Sequence, residues 1–414
     1  MDEPALPEPE APKYQPLPQA SRRGIGLCLS GGGYRATLFH LGGLRRLNEL
    51  GILSRDDFRT VSSVSGGSIA AAHLGTALAT RVAWPAPGPI PDEVWDREVR
   101  DPLRELTRHD IRTGALAKRF WPWNWFRAAT AVEAIATTYE KRLTTLRLRQ
   151  LPERPGFVLC ATDMAFGVNW IFTRDRMGDY LAGYMKPPED FALARAVAAS
   201  ACFPPVFNPL PMRVPPGSLK GGKAPAGPAR DSALADLRLT DGGDYDNMGL
   251  EPVWKNHAVV LVSDAGGLFT AQGDKGLFWR IPRYQGIQEA QARGLRKRWL
   301  IASFITGTLR GTYWGVGSAV SRYGRQGGYS KAFAREVVAE IRTDLDQFSD
   351  PEAAVLENHG YLLVDAALKF HVPSLATVDA PLRVPHPAWI PPGADEALIR
   401  DALRGSDKRK LFGR

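Results

Sequence analysis

The chain has almost no cysteine: three in 414 residues, Cys28, Cys160 and Cys202, far apart and each in apolar surroundings. That excludes a disulfide framework and a cysteine-rich zinc module, and it fits a reducing compartment. No stretch approaches the roughly 18 consecutive apolar residues of a membrane-spanning helix. Met1 to Ala20 lacks the basic start and apolar centre of a secretory signal; it carries prolines with Asp2, Glu3, Glu8 and Glu10. A soluble, cytoplasmic chain is expected. No Gly-Lys-Ser/Thr is present, which excludes a P-loop, and no internal repeat is visible. Hydrophobic residues make up 44% and charged residues 23%, ordinary globular usage, and the length suffices to bury a core without staples. Positive charge is in excess, 53 Lys+Arg against 44 Asp+Glu, for a net charge of +9. Such a balance favours anionic partners, phospholipid surfaces or nucleic acid among them.

Residues 1–23 read as a Pro-rich flexible leader. Ile25 to Leu29 then forms a short apolar run, broken by Ser30-Gly31-Gly32-Gly33. From Ala36 to Leu50 the apolar residues Leu38, Leu41, Leu44 and Leu47 march at helical spacing. Thr60 to Val64 reads as a second strand and Ser68 to Ala79 as a small-residue helix, so parallel strands with crossover helices are predicted. Residues 81–154, rich in Trp, Pro and Arg, read as an insertion over the sheet. Strands are expected at Phe157–Ala161 and Ala258–Val262, a helix at Phe191–Ala201, and a mobile surface loop at 214–228. Residues from Tyr284 onward read as mostly helical, with His359-Gly360 as a turn, and the chain ends in a basic tail.

Three local features carry chemistry. Ser63-Val64-Ser65-Gly66-Gly67-Ser68 runs from strand into helix, the setting in which a serine hydroxyl is lifted out of a sheet on a strained, crowded turn. Ser63 stands where a glycine is usual, and Ser68 is the expected helix cap. Gly31-Gly32-Gly33-Tyr34-Arg35 lets successive backbone N–H groups converge at the positive end of a helix, where an oxyanion or a phosphate would be held. Gly31-x-Gly33-x-x-Ala36 also fits the dinucleotide fingerprint, with Asp56 or Asp57 at a distance for a ribose contact. Asp241-Gly242-Gly243 sets an aspartate on a sharp turn, aimed into a site or bonded to its own backbone. Asp264 is the second choice for an acid. A Ser-Asp-His triad would run Ser65, Asp241, then His359 or His371. His40 and His73 read as structural, the cysteines as small buried hydrophobes, and Asp163 as a turn residue.

These stretches, with Ala199-Ser200-Ala201-Cys202-Phe203-Pro204, make residues 24–267 resemble the patatin-like phospholipases, which include relatives of cytosolic phospholipase A2. The resemblance implies a three-layer α/β/α fold with a mainly parallel central sheet and a Ser–Asp dyad. Ser65 would be the nucleophile and Asp241 its base. Gly31, Gly32 and Gly33 would line the oxyanion hole, and Arg35 would meet a substrate phosphate. Ala36 replaces the glycine that often follows that arginine. The hydrolase domain would span 24–400, including the insertion (81–154), the loop (214–228) and a helical extension (284–400), with a tail at 401–414. The expected function is cleavage of fatty acyl esters of phospholipids or lysophospholipids without cofactor or metal. Some enzymes resembling it are bacterial anti-phage effectors switched on by cyclic nucleotides, so a small-molecule activator belongs to the expectation and nucleic acid does not.

One surface stands out, Lys118 to Arg127, with Trp121, Trp123 and Trp125 among its aromatics. Tryptophan favours bilayer interfaces and cations favour anionic headgroups, so the stretch reads either as a lid or dock at the inner membrane face or as an anchor against the core. A second basic stretch, from Gln291 to Trp314, read as one helix, would carry Arg293, Arg296 and Arg310 outward. The rival functions are a nucleotide- or phosphate-binding protein and an inactive membrane binder of the same fold.

Overall fold

A computed structural model of the chain describes residues 22–406 apart from 121–129, 205, 216, 270, 272 and 275. The leader as far as residue 21, the heart of the Trp-rich stretch and the tail from residue 407 lie outside the described residues. β1 (Ile25–Leu29) leads into α1 (Gly33–Glu49), and β2 (Phe58–Val64) into α2 (Gly66–Thr80). The insertion is helical in its described part: α3 (Asp92–Trp95), α4 (Asp101–Thr107), α5 (Ile111–Phe120) and α6 (Thr130–Arg142). β3 (Gly156–Asp163), β4 (Val168–Phe172), β5 (Met177–Asp179) and β6 (Gly183–Met185) follow. Next come α7 (Leu193–Ser200), β7 (Leu210–Pro211), α8 (Pro228–Ala235), β8 (Arg238–Asp241), α9 (Gly243–Asp246) and β9 (Val259–Asp264). The chain ends with α10 (Leu277–Ile305), β10 (Arg310–Gly315), α11 (Lys331–Glu336), α12 (Asp350–His371) and α13 (Glu396–Leu403).

The sheet order is β10-β9-β1-β2-β3-β4-β5-β6. Its first five strands are parallel and the rest antiparallel. β1 is buried along its whole length, as a parallel strand covered on both faces must be. Successive side chains point to opposite faces, and the two faces have different covers. Ile25, Leu27, Leu29, Leu261 and Trp314 join the main core with α1, α2 and α12. Cys28, Val260, Val262 and Tyr313 face Met248, Leu250, Val253 and, from α10, Leu300. That is the expected three-layer α/β/α fold.

Two expectations are corrected. α10 ends at Ile305 and Arg310 opens β10, the edge strand of the sheet; Gly307, at φ 71°, breaks the helix between them. His359-Gly360 lies in the middle of α12, where a Cβ on Gly360 would sit 1.9 Å from the Phe39 carbonyl oxygen. That glycine is a contact point between two helices, not a turn. The 214–228 loop is joined to β6 by two Tyr184–Lys220 backbone bonds of 2.9 Å.

Candidate active site

The register of three strands brings the two expected reactive residues together. β2 runs along one edge of β3 and ends with Val64 opposite Cys160. β8 runs the other way along the same edge, because β4 occupies the opposite one, and ends with Asp241 opposite Ala161. The two strands meet head to head, and the chain leaves both at one point. Ser65 sits there at φ 50°, the single non-glycine residue of positive φ among the described residues. For a residue with a Cβ this is a strained conformation, and the surroundings enforce it. The Ser65 N–H donates to Ser200 Oγ at 2.9 Å. Ser200 Oγ donates to the Cys160 carbonyl at 2.6 Å, and its own carbonyl accepts from Gly242 N–H at 3.3 Å. Ser200 thus clamps both turns to β3.

Ser63 is accommodated at the position usual for glycine because its hydroxyl is buried and bonded to Val158 O and Ser68 Oγ. Ser68 lies inside the first turn of α2 and spends its hydroxyl on Ser63 and Ser200; it is not the cap, a correction to the sequence reading. Gly66 and Gly67 are required by contact. A Cβ on Gly66 would stand 2.0 Å from Gly33 O, and one on Gly67 2.3 Å from Leu29 O.

The glycine loop abuts Ser65: a Cβ on Gly31 would come within 3.1 Å of Ser65 Cβ. Its three N–H groups differ. Gly31 N–H donates to Asn247 O at 3.0 Å, so it is committed to the fold. Gly32 and Gly33 N–H have no acceptor among the described residues, and φ values of 139° and 57° suit glycine there. The loop is held from behind by His40, whose pKa burial pushes down to about 4. Neutral, it donates from Nε2 to Ser30 O and accepts at Nδ1 from Ser263 Oγ.

Asp241 is buried beside Ser65. Its Oδ1 accepts Gly243 N–H at 2.7 Å. The Ser65 side chain lies close enough to lower its pKa by hydrogen bonding, while Oδ2 has no well-formed partner among the described residues. Burial dominates, helped by the charges of Asp244 and Glu289, and raises the Asp241 pKa to about 7. Such a carboxylate is a far better base than an ordinary aspartate.

The remaining candidates fall elsewhere. Arg35 is buried, and every bond of its guanidinium ends on a backbone carbonyl: Ala265, Ala339 and Ile341, at 2.6–3.2 Å. It is placed to join the glycine loop to the C-terminal third, not to face a phosphate. Asp264 has both oxygens engaged, by Gly266 N–H at 3.0 Å and Tyr313 OH at 2.7 Å. His359 packs against Phe39 and Tyr329 and bonds Val316 O, and His371 bonds Thr312; neither is near Ser65 in the described contacts, so no triad forms. His73 bonds Val99 O. Asp163 receives the N–H groups of Ala165 and Phe166, as a turn residue does. Asp57 precedes β2, its carbonyl bonded to Ile25 at the start of β1 and its carboxylate to Arg55. It lies at the opposite end of the strands from the glycine loop, which removes the ribose contact.

The sequence reading missed Asn247. Its Oδ1 would meet a Cβ on Gly31 at 2.4 Å and one on Gly243 at 2.8 Å, and its Nδ2 one on Gly266 at 2.6 Å. It thus sits between the glycine loop, the Asp241 turn and the Asp264 turn. The one available signal was its place in the polar turn that begins at Asp241.

A sequence model of the patatin-like phospholipases matches residues 27–254. Human GIVD cytosolic phospholipase A2 is similar in structure at 13% identity and a TM-score of 0.42, over 94% of this chain and 61% of that one. VipD from Legionella pneumophila is similar at 14% identity and a TM-score of 0.35, over 84% of this chain and 67% of that one. The chain therefore spans less than two thirds of the human protein. No curated protein sequence matches it.

Proposed function

Because this chain belongs to the patatin-like phospholipase family, we propose that it is a serine acyl hydrolase that cleaves a fatty acyl ester of a phospholipid or lysophospholipid. The observation that carries this reading is the head-to-head ending of β2 and β8 on β3, which sets Ser65 beside a buried aspartate. In the reaction, Ser65 Oγ attacks the ester carbonyl as its proton passes to Asp241 Oδ2. The tetrahedral oxyanion is met by the N–H groups of Gly32 and Gly33, while Gly31 shapes their loop; each lost donor of this kind costs about 2.7–4 kcal/mol. Asp241 then gives the proton to the leaving alkoxide, and water reverses the sequence on the acyl-serine. An ester suits this dyad better than an amide, because an alkoxide demands less of a weak acid. Residues 24–400 act as one hydrolase unit in this reading.

In this reading the protein works peripherally at a phospholipid surface; no described helix is long and apolar enough to cross a membrane. A small-molecule activator remains part of the proposal. Incubation with mixed phospholipid vesicles, with and without added nucleotides, should release free fatty acid in the wild type and none in Ser65→Ala. Release by Ser65→Ala at the wild-type rate would refute the nucleophile assignment.

A further inference from the structure

α10 (Leu277–Ile305) inverts the usual pattern of a surface helix. At 3.6 residues per turn, Leu277, Ile281, Tyr284, Ile287, Leu295 and Trp299 fall on one arc of about 120°. These six side chains are 41–70% exposed, so the stripe is open to solvent, anchored at its end by Trp299, whose ring meets Trp254 at 4.9 Å. On the opposite arc the C-terminal half of the helix faces the candidate site, while Trp279 near its start is 42% exposed. Leu300 is buried against Met248 and Val253, Arg296 bonds Tyr245 O, and Arg293 lies beside Gly266. Glu289 on that side is near enough to raise the Asp241 pKa. Phe269, half exposed, lies off the stripe, against Gly286 and under the Arg283 guanidinium at 4.0 Å.

An exposed stripe of this size on a polar molecule marks a docking surface, and charge identifies its occupant. The helix has six cations against one anion, Glu289. Arg298 and Arg280, the latter paired with Asp274, fall within the same arc, between Ile287 and Tyr284. A second copy meeting this face by two-fold symmetry would bring two cationic helices together. An anionic lipid surface instead receives the apolar side chains at its headgroup boundary and the cations at its phosphates.

We propose that the Leu277–Trp299 face of α10 is the surface by which this protein docks on anionic phospholipid. The proposal rests on the acyl hydrolase reading for its purpose, and its test does not depend on turnover. The probe is a sedimentation assay with phosphatidylcholine vesicles containing phosphatidylglycerol, against vesicles of phosphatidylcholine alone. It uses the Ser65→Ala chain, so that no lipid is consumed. This chain should bind the anionic vesicles more tightly, and less tightly as salt is raised. Adding Ile281→Glu, Tyr284→Glu and Leu295→Glu together should weaken that binding by about tenfold or more, with an unchanged circular dichroism spectrum and melting temperature because all three are exposed. Equal binding of the triple variant overturns the proposal, as does no vesicle binding by the parent. A triple variant that merely turns a dimer into a monomer assigns the stripe to a second copy and also overturns it. The hydrolase reading fails separately, if wild-type protein releases no fatty acid from vesicles it binds.

Discussion

A carboxyl group buried as Asp241 is must be costly to ionise, and that cost is what makes it useful. Its pKa of about 7 predicts that kcat/KM for a soluble ester rises through an acid limb near that pH, since only the ionised form can take the serine proton. Asp244 adds to the shift by its charge, so Asp244→Asn should move the limb to lower pH in a pH–rate profile. Stability carries the opposite sign. The folded pKa lies above the unfolded one, so the native state binds the extra proton and loses stability as pH rises from about 4 to about 7. Asp241→Asn should therefore abolish turnover and raise unfolding free energy in urea at about pH 8 by up to about 4 kcal/mol, with little gain below about pH 4. Arg35 makes a different prediction. If it holds Ala265, Ala339 and Ile341 carbonyls, Arg35→Met leaves buried acceptors unpaired at about 1–3 kcal/mol each and should sharply lower the melting temperature. An unchanged melting temperature with weakened phospholipid hydrolysis would return it to the phosphate role.

At the scale of elements, the strand-helix alternation was legible because β1, β3 and β9 are short, largely apolar runs and β2 carries a short stretch of valine, serine and threonine ending at a glycine turn. Ser65, Asp241 and the glycine loop were legible for a related reason: strained turns admit few residue types. β10 was not, because Arg310-Gly311-Thr312-Tyr313-Trp314-Gly315 shows no alternation and follows a helix of similar composition. Its place is set by pairing with β9. Nor could one chain show that β8 shares an edge with β2, a relation made by the fold across residues far apart. Gly360 was misread because a glycine that admits a neighbouring backbone looks, in sequence, like one that ends a helix. The contact at Gly66 is as tight, and Gly66→Ala should lower thermal stability markedly and stop activity. Gly88→Ala, where a Cβ would meet nothing within 4 Å, should change stability by no more than about 0.5–1 kcal/mol.

Across the whole molecule, the C-terminal third braces the candidate site from outside the matched region at 27–254. Asp344 O accepts Tyr34 N–H at 2.8 Å, Arg35 grips Ala339 and Ile341, and α12 lies against α1 through Gly42 and Gly360. The glycine loop is thus pinned by residues some three hundred positions away, and α10 carries charge toward Asp241 from the same third. Truncation after β9 should therefore cost the glycine loop its shape, read as loss of activity together with a lower melting temperature. The partnership of Ser65 and Asp241 is the centre of the proposed chemistry. Reaction with a fluorophosphonate, followed by peptide mass mapping, tests it in one measurement. The account predicts a single adduct on Ser65, formed faster as pH rises through about 7 and not formed in Asp241→Asn. An adduct on another serine, or Ser65 labelled as fast without the aspartate, would contradict it.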